Sequence, residues 1–331
     1  MTMEGGFQDT VRAVAAGELA ELARCFAHAG CVAESTVPGT MQVRACDDGL
    51  HRPRLLLSVG VHGDETAPIE MLAHLLHHLA AEPRTLAVDL MVAVGNIAAI
   101  RQGRRFVDVD LNRLFRAERG ELQVAAEAER ADALMQAAAS FFAGHDAATW
   151  HLDLHAAIRP SLYPTFAVVP AGIDAPRRAM LMQWLGAAGI GAAILNPTSA
   201  GTFSAFTAEH FGACSATVEL GQVGALGQND MRQFDAARIA IDTFLRSGEL
   251  PAASMRPRVF RVVQELIKRS DAFRMAVDGT AKNFTPMQPG AVIARDGSAV
   301  YRVGPVTEYV VFPNPDVRVG LRAGLMVAEQ D

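Results

Sequence analysis

The sequence predicts an α/β protein in two parts, a larger α/β domain over residues 1–250 and a small β domain over residues 251–331. Three observations carry this. The run Leu55-Leu-Leu-Ser-Val59 is short, apolar and rich in branched side chains, as a buried strand is, and behind it Pro68, Ile69, Leu72, Leu76 and Leu79 recur at helical spacing. Residues 85–94 then read as a second buried strand ended by Gly95-Asn96, so strand, loop, helix and strand imply a right-handed parallel crossover. Past Pro251 the character changes. Short β-like runs at 259–266, 291–294, 300–303 and 308–312 alternate with the turn formers Asp278-Gly279, Pro289-Gly290, Asp296-Gly297 and Pro313-Asn-Pro315.

The chain before the first strand carries Val11, Val14, Leu19, Leu22 and Cys25 or Phe26 at loosely helical spacing, which predicts helices and then an entry strand before residue 45. Residues 101–115 hold Arg101, Arg104, Arg105 and Arg113 without a helical or alternating apolar pattern, and read as a loop. An Ala-rich stretch at 121–143 predicts one long helix closed by Gly144. Strands follow at 150–155, 165–169, 192–195 and 214–220, with a helix at 176–185 and a Ser-, Thr- and Gly-rich loop at 196–206. Asn229-Asp230 predicts the cap of a helix bearing Met231, Phe234, Ile239, Phe244 and Leu245, stopping at Gly248.

Half of the 331 residues are apolar and a fifth are charged, enough for a sizeable core. The net charge of −6 is spread without acidic or basic blocks, which argues against nucleic acid or a membrane surface as partner. The N-terminal Met1-Thr-Met-Glu-Gly-Gly-Phe has neither a basic nor an apolar targeting segment, and no apolar run reaches membrane-span length, so the expected location is the cytoplasm. Cys25, Cys31, Cys46 and Cys214 show no metal-cluster spacing and suggest no disulfide framework; Cys214 reads as core packing on a strand.

The chemistry gathers at strand ends. His62 and Glu65 stand on the loop between the first predicted strand and its helix, where Gly60 and Gly63 allow tight turns and close approach. Two ligands three residues apart can turn onto one Zn²⁺, although a capping His beside a solvated Glu gives the same spacing. The strand Trp150-His-Leu-Asp-Leu-His155 delivers a third candidate, His155, and a His₂Glu set leaves a position open for catalysis. Asp153, two residues earlier on the strand, points to the same side and suits a carboxylate that orients a ligand imidazole. Glu219 lies near the end of the apolar strand 214–220, where an acid is costly unless it is paired or used; it reads either as a general base or as a salt-bridge partner for a loop arginine. The arginine loop itself reads either as solvated surface or as a clamp for an acidic substrate.

Together, Gly-Val-His62-Gly-Asp-Glu65-Thr-Ala-Pro, Asp110-Leu-Asn112-Arg113-Leu-Phe, His151-Leu-Asp-Leu-His155-Ala-Ala-Ile-Arg and Val218-Glu219-Leu-Gly resemble the succinylglutamate desuccinylase/aspartoacylase family of zinc amidohydrolases. The resemblance runs from about residue 59 to 326, through Gly201-Thr-Phe-Ser, Glu209-His-Phe, Gly227-Gln-Asn-Asp230, Asn283-Phe-Thr, Tyr309-Val-Val-Phe-Pro-Asn-Pro and Gly320-Leu-Arg-Ala-Gly-Leu-Met326. It implies a zinc carboxypeptidase-like fold, a mixed, mostly parallel sheet with helices on both faces. It also implies one zinc per chain on His62, Glu65 and His155, substrate-carboxylate contacts from Asn112 and Arg113, carbonyl polarisation by Arg105, and Glu219 as base. An arginine that aspartoacylases carry ten residues before that base corresponds here to Glu209, which points away from N-acetylaspartate. The implied reaction is hydrolysis of N-succinyl-L-glutamate, with a related N-acyl amino acid or a peptide as the alternative substrate. Such a substrate carries three carboxylates, and Arg159, four residues past His155, is the candidate for one of them, with an ion pair to a surface acid as its other reading. The partner expected is this small acidic molecule; a homo-oligomer is compatible with the sequence.

Overall fold

The computed structural model describes residues 3–46, 51–144, 147–198, 201–277 and 280–330, with side chains from residue 6. The chain opens with α1 (Met3–Ala16) and α2 (Ala20–His28), then β1 (Val32–Glu34), β2 (Thr40–Arg44), β3 (Arg54–Val59), α3 (Thr66–Ala81), β4 (Asp89–Val94), α4 (Ile97–Gln102), α5 (Ala128–Phe142) and β5 (Thr149–Ala157). It continues with β6 (Thr165–Val169), α6 (Ala175–Ala187), β7 (Ala192–Leu195), α7 (Phe203–Phe211), β8 (Cys214–Gln222) and α8 (Asp235–Ser247). The remainder is β9 (Arg258–Ile267), β10 (Arg274–Met275), β11 (Thr285–Met287), β12 (Val292–Asp296), β13 (Ala299–Arg302), β14 (Glu308–Val311) and β15 (Arg322–Glu329).

Among the described residues, twelve strands form one sheet in the order β1-β2-β4-β3-β5-β8-β6-β7-β9-β15-β14-β11, and β10, β12 and β13 form a second. Four of the seven pairings among β1–β8 are parallel, which gives the mixed, mostly parallel sheet. From β3 the chain crosses to β4 on one side and returns to β5 on the other, so the order reverses at β3 and leaves a crevice at its C-terminal end. Pleating sends alternate side chains of β3 to opposite faces. Leu55, Leu57 and Val59 join the core beneath α3, while Leu56 packs with Met91, Leu134 and Phe141 beneath α5. Helices therefore cover both faces. The last part of the chain continues the same sheet, because β9 pairs in parallel with β7 and antiparallel with β15. Phe166, Ile194, Phe260, Phe284 and Val311 pack together across that seam.

Several local expectations are corrected. The helix expected at 121–143 is a 3-10 turn (Gly120–Val124) followed by α5, because Ala125 is extended and Glu127 turns back to accept from the backbone N–H groups of Val107, Asp108 and Val109. Part of the loop expected at 196–206 is helix: Thr202 accepts from the Ala205 N–H and starts α7, so its hydroxyl is a cap. Asp230 caps a 3-10 turn (Met231–Phe234) ahead of α8, and Ile239, placed on the apolar stripe, is 54% exposed. Cys31 and Cys46 form a disulfide that their spacing did not suggest; the antiparallel β1–β2 ribbon brings its ends together. Cys214 is buried on β8, as its apolar surroundings predicted. The Asp278-Gly279 turn lies outside the described residues. Among the described residues no helix is long and apolar enough to cross a membrane.

Candidate active site

A polar stripe crosses the otherwise apolar centre of the sheet. Ser58 on β3 is in register with Asp153 on β5, and His151, Asp153 and His155 are in register with Ser215, Thr217 and Glu219 on β8. Alternation puts all of them on the face covered by α7, and Ser204 and Thr207 of that helix bond three of them: Thr207 Oγ1 lies 2.8 Å from His151 Nδ1 and 3.0 Å from Ser215 Oγ, and Ser204 Oγ lies 2.8 Å from Thr217 Oγ1. Ser58 Oγ donates to Asp153 Oδ1 at 2.5 Å and lies 2.8 Å from His151 Nε2. Burial pushes His151 down to about 4, so this imidazole is neutral and its place in the network is that of a hydrogen-bond link.

At the C-terminal end of the stripe, His62, Glu65 and His155 present ligand atoms within 4.8 Å of one another, all buried. The loop that carries the first two is held by close packing. A Cβ on Gly63 would lie 2.3 Å from the backbone of Ala99 and Ile100, and its N–H donates to the Arg105 carbonyl. Gly60, with φ of 65°, makes the turn out of β3. His62 Nε2 is 3.0 Å from Asp110 Oδ1 and His155 Nε2 is 3.0 Å from Asp153 Oδ2, so each outer nitrogen has a carboxylate to hold its proton. The inner nitrogens converge: the two Nδ1 atoms are 3.2 Å apart, at 2.7 Å (His62) and 2.9 Å (His155) from the Glu65 carboxylate. The charge balance agrees. Burial works against ionisation of Glu65, yet His62 and His155 hold its carboxyl well below the usual range; burial likewise disfavours a charged His155, yet Asp153 and Glu65 raise it. A pocket of two imidazoles among three carboxylates demands positive charge, and its nitrogen and oxygen donors fit a divalent metal ion of the zinc type.

Glu219 stands beside this group. It is 7% exposed, and its Oε2 has no hydrogen-bond partner. Burial, with Glu65 close by, pushes its carboxyl up to about 7 against the pull of His155, His62 and Arg105. The structure brings no arginine into an ion pair with it among the described residues, which leaves the general-base reading as the one its surroundings favour.

The arginine loop wraps the same crevice. Arg105 donates to Glu65 Oε1 at 2.8 Å, a contact with the carboxylate of a candidate ligand where the resemblance implied one with substrate. Asn112 is buried, its Oδ1 accepting from the Phe203 N–H at 3.0 Å, which ties the loop to the start of α7. Arg113 donates to the Asn112 carbonyl and reaches Asp110 at 3.6 Å with its side chain 38% exposed. Arg159 is half-buried on the bend after β5. Three residues that shape the site escaped sequence reading. Asp110 links His62 to Arg113, Glu127 fixes the backbone of 107–109, and Ser58 anchors Asp153. Only the period-two run His151-x-Asp153-x-His155 hinted at the polar stripe, since Ser58 lies in an apolar run and Glu127 in an apparent helix.

Comparison with known proteins adds an independent line. A family model described as the succinylglutamate desuccinylase/aspartoacylase catalytic domain matches residues 51–245, and one described as the AstE/AspA barrel-sandwich hybrid domain matches 255–330. The chain is 44% identical over 287 residues to a succinylglutamate desuccinylase of Burkholderia orbicola, covering 86% of this chain and 84% of the relative. It is similar to the solved succinylglutamate desuccinylase structure from Vibrio parahaemolyticus, with a TM-score of 0.85, 30% identity and coverage of 91% and 89%. A structure of the same description from Chromobacterium violaceum matches with a TM-score of 0.78, 33% identity and coverage of 94% and 97%.

Proposed function

The chain belongs to the succinylglutamate desuccinylase/aspartoacylase family, and from that premise we propose that it hydrolyses N-succinyl-L-glutamate to succinate and L-glutamate in the crevice at the end of β3, β5 and β8. The observation that carries the reading is the juxtaposition of a buried His62–Glu65–His155 group with a buried carboxyl, Glu219, whose outer oxygen is unclaimed. His62, Glu65 and His155 would hold one zinc ion, which supplies Lewis acidity, polarising a carbonyl and acidifying water.

The residues divide the remaining work. Glu219 takes a proton from the water that adds to the succinyl amide carbon, and returns one to the amine nitrogen as the carbon–nitrogen bond breaks, so the base ends as it began. Burial pushes that carboxyl upward, which favours its holding the proton between the two halves of that exchange. Arg105, at the edge of the crevice on Glu65, carries the charge that steadies the developing oxyanion. Asn112 with Arg113 receives the α-carboxylate of the glutamyl half, and Arg159 the succinyl carboxylate. Asp153, fixed by Ser58, and Asp110 orient His155 and His62 through their outer nitrogens.

The test is release of succinate from N-succinylglutamate, followed with and without a chelator and after zinc is returned. Turnover that the chelator abolishes and zinc restores supports the reading. A purified, folded protein that releases no succinate with zinc present overturns the substrate, and turnover indifferent to chelation overturns the metal.

A further inference from the structure

Arg322 is the first residue of the C-terminal strand β15, in register with Ile267 of β9, and its side chain is 21% exposed. Its ion-pair partner among the described residues is Glu265, at 3.9 Å, and the same Glu265 oxygen already accepts from the Thr198 hydroxyl at 3.1 Å. That leaves a guanidinium with five N–H donors on one loose contact, partly out of water.

Thr198, which bonds to Glu265, and Gly201, on which a Cβ would lie 2.9 Å from the Arg113 carbonyl, stand three positions apart in the chain and relate Arg322 to the substrate loop. The charge of Arg113 reaches Arg322: burial pushes Arg322 down to about 10, Arg113 pushes the same way, and Glu265 and Asp110 oppose it. Each guanidinium has only a long ion pair (3.9 Å for Arg322 and 3.6 Å for Arg113), so both have N–H donors to spare for an added anion.

We propose that Arg322 and Arg113 form a two-guanidinium clamp for the glutamyl half of the substrate, Arg113 taking the α-carboxylate and Arg322 the side-chain carboxylate. This rests on the reading of the substrate given above. A short aliphatic chain separates those two carboxylates, so neighbouring arginines can grip both, whereas the succinyl carboxylate lies on the far side of the scissile amide. The C-terminal segment thereby sets specificity. It demands an acidic side chain on the amino acid released, and the continuous β7–β9–β15 pairing holds Arg322 in place.

The experiment compares N-succinylglutamate with N-succinylglutamine, which keeps the shape and loses the side-chain charge, in wild type and Arg322→Met. Wild type is expected to prefer the glutamate compound by about a hundredfold in kcat/KM, the scale of a lost charge-assisted bidentate contact. Arg322→Met is expected to lose about that factor on N-succinylglutamate, to stay within about threefold on N-succinylglutamine, and so to erase the preference. Equal losses on both compounds, or no loss on either, overturn the assignment. Circular dichroism and bound zinc check the fold; should the Met variant not fold, Arg322→Lys carries the test, since it keeps the charge and loses the fork, and a preference unchanged from wild type overturns the clamp. Wild type that turns over neither compound removes the substrate reading and with it this inference, whereas an active wild type with either overturning pattern removes only the role of Arg322.

Discussion

His155 and Glu219 are register partners across the parallel pairing of β5 with β8. Parallel neighbours in register send their side chains to the same face, so backbone hydrogen bonding alone sets the proposed metal ligand beside the proposed base. No flexible loop intervenes. Both strands are buried on both faces through this point, and a shift of one residue in either would turn one of the pair away from the crevice.

Glu219→Gln keeps the volume and removes the basicity. We expect zinc content and melting temperature near wild type and a fall in kcat of at least about a hundredfold, the usual scale for a lost general base. A kcat close to wild type would make Glu219 structural.

Glu65→Ala and His155→Ala each remove one member of a three-residue group with no spare ligand. Tightly held zinc and turnover are expected to disappear together, measured by metal analysis after gel filtration and by succinate release. A variant that retains one zinc per chain and normal turnover takes that residue out of the ligand set.

Gly63→Ala tests the loop rather than the ligands. Its Cβ would meet the Ala99 and Ile100 backbone at 2.3 Å and the Arg104 carbonyl at 2.6 Å, and backbone atoms cannot swing aside. Overpacking of this kind costs about 1–3 kcal/mol or more, so we expect a lower melting temperature together with weaker zinc binding. Unchanged values for both would show that α4 yields easily.

Arg159→Met separates the two ends of the substrate. If Arg159 grips the succinyl carboxylate, kcat/KM falls by about 2–5 kcal/mol in transition-state terms with N-succinylglutamate and much less with N-acetylglutamate. Equal losses place Arg159 on the glutamyl side, and no loss on either returns it to the surface.

What the sequence determined by itself is local. Apolar runs bounded by Gly and Pro mark β3, β6, β7 and β8 because a buried strand needs branched apolar side chains along its length and a turn at its end. His62, Glu65 and His155 stood out because ligand chemistry restricts residue type, and strand ends are where a sheet leaves side chains free. Only the tertiary structure decided the rest. Glu127 sits in an Ala-rich stretch that local propensity reads as helix, and the amides of 107–109 outweigh that propensity by bonding its carboxylate. Thr202 and Ser204 read as loop until α7 closes over the polar stripe and uses them as cap and partner. The charge of Arg113 reaches Arg322 only because β9 joins the sheet beside β7 and carries β15 in with it. Hydrogen bonding between strands far apart in the chain brings those charges together, and no spacing along the chain encodes which strands will pair.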